Sequence, residues 1–412
     1  MTSLLKWAKK AIKSGQSPVL RFPTSGFEVI KPSNIFEEER FEEFKKGRYY
    51  PVEIGDVLVS KYQVVGKLGF GTTSTVWLAR DLEGHRYVTL KVYTVDGTSH
   101  REVQTYKLLN QGDRWHPGYA HVRTALDGFT ILHQGSGYQD NEHHCVVQKP
   151  MWGSFRHLMY RSPEHRLSED LLKSGLRHIF FALDYLHNEC QLVHTDIKGD
   201  NILQELEEMS ILDNFTDSEM EHPSARKLVD NMPVYASRGF ELPPRFSRAV
   251  LSDFGSAVRG DEKRSHDAQP TIYRSPEVML ETEWSYPIDI WNVGTMVWDL
   301  FEGKHMFIGM DPDVKGYSTR MHLAEVIGVL GPPPLDFLKR GERSCEFFTE
   351  YGHWRNQVDL PDGMSLENSE ERLNGRNKDI FLDFMRGMLQ WRPEDRKTAK
   401  QLLQDPWLEH RT

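Results

Sequence analysis

The hydrophobic pattern of this 412-residue chain is mainly strand-like before Met151 and helical beyond it, and that shift limits the fold more than any other feature. From about Tyr62 to Val95 the segments "KYQVVGKLGFG", "STVWLARD" and "RYVTLKVYTV" alternate and are rich in β-branched residues, the pattern of a small antiparallel sheet. Next comes "SHREVQTYKLLN", with Ser99 and Glu102 in capping-box register, which predicts a helix start. Strand texture returns at "FTILHQG" and "HHCVVQKP". Beyond Met151 the apolar residues follow helical spacing in "LSEDLLKSGLRHIFFALDYLHNE", "YPIDIWNVGTMVWDLFEG", "RMHLAEVIGVLG" and "IFLDFMRGMLQW". The expectation is an α+β chain of two lobes. Residues 1–47 form a partly disordered extension, 48–150 a small β-rich lobe and 151–410 a larger helical lobe, with a hinge near Lys149 to Trp152. The span 204–248 is polar, contains Pro and Asp, and lacks clear periodicity. It reads as an insertion in the second lobe.

Composition narrows the function classes. A hydrophobic share of 38% and 10 Trp suffice for a real core. The net charge of −9 is mixed along the chain, so no nucleic-acid partner is expected. Cys145, Cys190 and Cys345 are far apart and form no CxxC, which argues against a zinc site or disulfide framework and fits a reducing compartment. No apolar run approaches the roughly 18 residues of a membrane span. The start, "TSLLKWAKKAIKS", is basic and would place Leu4, Leu5, Ala8, Ala11 and Ile12 on one helical face. A transit peptide or surface anchor fits that pattern, but its use of Lys in place of Arg favours a frayed tail. The run "FEEERFEEFKK" reads as a solvated face.

Gly69 and Gly71 lie between two strands in "KLGFGTTSTVW", where glycine lets backbone N–H groups approach phosphate oxygens. Alone, an ordinary hairpin explains them equally well, and Ser74 occupies the place of a third glycine. The context is strand–loop–strand, unlike the strand-to-helix turn of dinucleotide folds. Lys91 follows on the next strand. A half-buried Lys needs a carboxylate partner or sheds its proton, and Glu102 is the nearest Glu downstream. The bland alternative makes Glu102 a helix cap and Lys91 a surface charge. In "LVHTDIKGDNIL", Asp196, Lys198 and Asn201 match the needs of phosphoryl transfer: a carboxylate to orient the acceptor hydroxyl, a cation near the migrating group, and an oxygen ligand for Mg2+. A second metal ligand, Asp253, stands in "LSDFGSA". Each motif alone is compatible with a turn; their joint order is not a coincidence of turns.

With "YRSPE", "DIWNVG" and "RPEDR" added, the chain resembles a eukaryotic protein kinase from about Tyr50 to Leu408. The resemblance implies a bilobal kinase fold and an ATP- and Mg2+-dependent protein serine/threonine kinase. It implies that Lys91 pairs with Glu102, and that Leu68, Gly69, Gly71, Val76, Lys91, Met151 and Leu203 bind the nucleotide. Asp196 and Lys198 would carry catalysis, and Asn201 and Asp253 the metal. Gln148 falls at the gatekeeper position, and Thr89 replaces the usual Ala of the adenine roof. Glu277 should pair with Arg396, and Asp289 should brace the catalytic loop. The alternative is a pseudokinase or scaffold binding protein, whose weight comes from Thr89, Ser74 and Pro270. A small-molecule phosphotransferase is disfavoured by "YRSPE" and Arg396.

Within the kinases, "YYPVEIGDVLVSKYQVVGKLGFG", "HTDIK", "YRSPEVML" and the tail "HLAEVIGVLG…CEFF" are similar to the serine/arginine-protein kinases, most of all the fungal ones. That branch implies a monomer in cytoplasm or nucleus acting on protein substrates, the arginine-serine-rich splicing factors. Three departures stand out. Thr195 replaces the Arg that grips an activation-loop phosphate, which predicts activity independent of phosphorylation there. Pro270 replaces a Thr that bonds the catalytic Asp, with Thr271 as a candidate substitute. Met321 and Gly328 fall where the branch carries substrate-docking acids, leaving Glu325 as the only acid nearby.

Overall fold

The computed structural model describes residues 15–95, 99–134, 140–230, 232–355, 358–361 and 363–409. The amphipathic pattern around Leu4 to Ile12 lies outside them. The chain forms two compact units. The first draws on residues up to Val103, on Ala125–Trp152 and on Leu206–Arg245; the second on Gln104–Thr124, Gly153–Glu205 and the chain from Phe246 onward.

The first unit is built on an antiparallel sheet of six strands: β1 (Val57–Leu58), β2 (Tyr62–Phe70), β3 (Ser74–Asp81), β4 (Arg86–Tyr93), β5 (Asp127–Gln134) and β6 (Asp140–Gln148), in the order β1-β2-β3-β4-β6-β5. Side chains alternate across a sheet, and directly paired residues share a face. The register pairs Trp77 with Leu90, Ala79 with Val88, and Leu90 with Val147. That face is the apolar core, with Val64, Val92 and Cys145 also buried in it.

The segment after residue 205 corrects the reading of an aperiodic insertion in the helical lobe. Leu206–Arg245 folds into the first unit. It forms a helix, Ser210–Glu221, and a hairpin of Arg226–Val229 with Met232–Tyr235. The helix buries Ile211, Leu212, Phe215, Thr216 and Glu219, a stripe of helical spacing. Two of those five are polar, which hid the period. Glu219 earns its burial by accepting from the Ser224 N–H and Oγ at 2.8 and 2.6 Å. A Cβ on Gly66 of β2 would lie 2.8 Å from the Phe215 ring, so glycine is what lets this helix approach. Tyr235 of the hairpin belongs to the sheet core, edge-on to Trp77 with ring centroids 5.7 Å apart.

The extension is a second correction. From residue 15 its chain is tied to the first unit: Val29 bridges Arg226 in parallel, and the Gln63 side chain bonds both Leu20 backbone groups. The acidic run is solvated only in part, at residues such as Glu42 and Lys45. Glu38 is 4% exposed and pairs with the fully buried Lys67, while Glu39 pairs with Lys227 at 2.6 Å. Phe44, Tyr49 and Val234 form a small core where extension meets hairpin.

The second unit is helical. Ser168 caps the helix Glu169–Asp184 by accepting from the Leu171 N–H. The helix Pro287–Glu302 is buried along almost all of its length and ends at Gly303, whose φ of 74° is the left-handed value glycine adopts freely. Trp291, Trp298, Phe301, Phe381 and Trp407 are all buried there. Arg396 and Glu277, both fully buried, pair through two bonds of 2.5 and 2.6 Å. Among the described residues no helix is long and apolar enough to cross a membrane.

Candidate active site

In the first unit the register collects the expected nucleotide residues. Val76 pairs with Lys91, and Thr89 with Gln148. Residues two apart share a face, so Val76, Thr89, Lys91 and Gln148 stand together on the face opposite the apolar core. Lys91 donates to both Glu102 oxygens, at 2.8 and 2.9 Å. Glu102 is 3% exposed and sits on the helix Ser99–Gln111. Glu102 is thus a buried, bidentate partner for Lys91, and Lys91 is not a surface charge.

Two buried polar atoms on this face, Thr89 Oγ1 and Gln148 Nε2, meet no hydrogen-bond partner among the described residues. Leaving such groups unpaired costs about 1–3 kcal/mol each, so the face suits a ligand that supplies polar atoms. Next to it, a Cβ added at Gly69 or Gly71 would meet nothing within 4 Å, so protein does not fill the space beside the glycine loop. Leu68 is half-buried on the same strand, and Met151 is buried. These features fit a nucleotide.

The second unit holds the loop from His194 to Asn201. The fully buried carboxylate of Asp289 accepts from the His194 N–H and the Thr195 N–H, each at 2.8 Å, and lies 2.9 Å from His187 Nε2. Asp289 thus braces the loop as expected. Thr195 has φ of 69°, a conformation that costs a β-branched residue on the order of 1–3 kcal/mol. Its hydroxyl donates to the Ser256 carbonyl at 3.0 Å. In place of a phosphate clamp, Thr195 ties the loop directly to the segment following Asp253.

The strained turn presents Asp196. Both of its carboxylate oxygens accept from Lys198 Nζ at 2.9 Å, and Asn201 Nδ2 bonds its carbonyl and carboxylate at 2.8 and 2.9 Å. Asn201 is followed by the strand Ile202–Glu205, which pairs with Ala249–Leu251 and sets Leu203 opposite Val250. The Ser252 N–H donates to the Asn201 carbonyl at 2.9 Å. That bond places Asp253, at φ 67°, one residue from Asn201's backbone. Oxygen atoms of Asn201 and Asp253 are the donor set a hard cation such as Mg2+ takes. Thr195, Asp196 and Lys198 line a pocket of about 330 Å3 with Val258, Pro270 and Trp284, among others. Thr271 is exposed, and the bonds to Asp196 come from its own loop, so Thr271 does not replace the missing Thr.

The activation segment is held by packing. Val258 pairs with Val193, Arg264 bridges Trp284, and Trp284 Nε1 donates to the His266 carbonyl at 2.9 Å. Val193, Val278, Trp284 and Ile288 form a buried cluster beneath it. Glu325, the expected docking acid, is engaged elsewhere. Its Oε2 accepts from the Ile308 and Gly309 N–H groups at 2.8 and 3.0 Å, and burial pushes its carboxyl above the usual carboxylate range. Gly328 packs on Met364. Sequence reasoning missed the roles of Tyr49, Lys67 and Ser256, whose partners lie 22 to 168 positions away in the chain.

A protein kinase domain model matches residues 62–237 and 245–408. A serine/threonine protein kinase of Aspergillus fumigatus is 41% identical over 410 residues, 98% of each chain. The serine/threonine-protein kinase SRPK of Physarum polycephalum is 31% identical over 401 residues, covering 90% of this chain and 91% of its own. SRSF protein kinase 3 of Mus musculus is 24% identical over 521 residues, 90% of each. Geometry and kinship agree: this chain belongs to the protein kinases, on their serine/threonine branch and with SRPK-type enzymes among its relatives.

Proposed function

We propose that the chain transfers the γ-phosphoryl group of ATP to Ser/Thr hydroxyls in arginine-serine-rich proteins, with Mg2+ required. Asp196 carries the reading: its carboxylate is oriented from two sides by Lys198 and Asn201 and faces a pocket. Asp196 receives the hydrogen bond of the acceptor hydroxyl and takes its proton as the bond to phosphorus forms. Lys198 sits beside Asp196 where negative charge moves to the acceptor. Lys91, fixed by Glu102, holds nucleotide phosphates. Asn201 and Asp253 hold Mg2+, which when bound neutralises charge on the transferring phosphoryl group.

The substrate class rests on kinship with relatives such as SRSF protein kinase 3, and the helix Thr319–Leu330 adds no free acid for Arg side chains to grip. Rates on an arginine-serine repeat peptide and on an acidic Ser peptide test it directly. Preference for the repeat supports the class; equal or inverted rates remove it. Chelation of Mg2+ should abolish transfer on both peptides, and Asp253→Asn should do the same while the protein still folds.

A further inference from the structure

The glycine loop between β2 and β3 is gripped from outside the sheet. Tyr49, 3% exposed, directs its hydroxyl at the carbonyls of Gly71 and Thr72, at 2.6 and 3.0 Å. A trans peptide is planar, so its C=O and N–H point opposite ways, and no described peptide bond is cis. Fixing those carbonyls therefore aims the N–H groups of Thr72 and Thr73 away from Tyr49. Among the described residues neither N–H meets an acceptor, whereas the Gly71 N–H is satisfied by the Ser74 carbonyl at 2.8 Å. Two unpaired N–H donors at the tip of a glycine loop suit an anion.

Tyr49 is itself held in place by packing. Its ring packs beside Phe44, 5.8 Å between centroids, in the small core shared with Val234 of the hairpin. The same extension places Phe41 6.0 Å from Phe70 at the loop's entry. Lys67, three residues before Phe70, is locked by Glu38 and by the Tyr235 carbonyl at 3.0 Å. Extension and hairpin together form a splint that reaches the loop tip through the Tyr49 hydroxyl.

We propose that Tyr49 is a positioning residue for ATP: its hydroxyl pre-aims the Thr72 and Thr73 N–H groups at the nucleotide phosphates. The inference rests on the ATP-dependent reading above. Glycine loops are entropically free, and a loop already aimed loses less freedom when nucleotide binds.

The test is Tyr49→Phe, which keeps the ring and removes only the hydroxyl, assayed on the full chain with a Ser peptide. The wild type must first transfer phosphate from ATP; if it does not, the ATP reading fails and not the splint. The expected result is a KM for ATP raised by roughly three- to tenfold, the worth of one hydrogen bond. The KM for peptide, the kcat at saturating ATP and the melting temperature should hold. An unchanged KM for ATP overturns the proposal. So does a matched loss in both KM values with a lowered melting point, since that marks a merely structural tyrosine.

Discussion

The two units brace their parts of the machinery by different means. In the first, charge meets charge between segments distant in sequence: Lys67 with Glu38, Lys227 with Glu39, Lys91 with Glu102. The second also has such a pair, Arg396 with Glu277, but its catalytic loop is braced differently: the buried carboxylate of Asp289 gathers two successive backbone amides, and the activation segment lies on an apolar cluster. Buried ion pairs tie a unit to the presence of both partners, because removing one leaves the other charged and dry. The Asp289 brace also spans the chain, reaching amides 94 and 95 positions away, but one residue controls it.

The largest effect that would sharpen this contrast is Asp289→Ala. It strands two buried N–H groups and should cost on the order of 3–5 kcal/mol along with most of the activity, read by denaturant melts and kinase assay. Little change in either would contradict the single-brace account. In the first unit Lys67→Met should cost about 3 kcal/mol by leaving Glu38 unpaired. Adding Glu38→Leu should restore most of that loss. A double variant no better than the single would break the ion-pair reading.

The second unit also holds a group that answers to acid. His322, fully buried in the second unit, has its pKa lowered to about 3 by burial, then by the nearby Arg274 charge. Its folded-state pKa lies below the unfolded value, so the unfolded chain binds the proton first. Stability is therefore full above about pH 6.5 and falls as pH drops toward 3, by up to about 1.4 kcal/mol per pH unit. His322→Gln should flatten that acid limb in melts taken across pH; an unaltered slope would assign it to other groups. The smallest expected effect is none at all: phosphatase treatment should leave activity intact, because Thr195 and the packed activation segment take the place of a phosphate clamp. Loss of activity on that treatment would break this point.

The catalytic loop was legible because its chemistry is local. Asp196, Lys198 and Asn201 lie within six residues and bond one another, so spacing alone exposes them. Lys91 and Glu102 were legible through the strand and helix that carry them. The helix Ser210–Glu221 was not, since Thr216 and Glu219 occupy its buried stripe and pair within the fold. The acidic run at Glu37–Glu39 misled for the same reason: its partners, Lys67, Lys227 and Ser237, lie up to 200 positions away. Charge reads as exposure until its partner is known. Glu325 erred in the opposite direction, since a helix acid beside a loop serves two backbone amides as readily as a substrate.

Transfer of phosphate from ATP to a Ser peptide by the wild type and by Asp196→Asn bears most directly on the whole reading. Asp196→Asn should keep ATP binding and lose roughly 10²- to 10⁴-fold in turnover, the range for a removed general base. Equal turnover by the two proteins would contradict the role of Asp196, and absence of transfer by the wild type would leave a kinase fold serving as a scaffold.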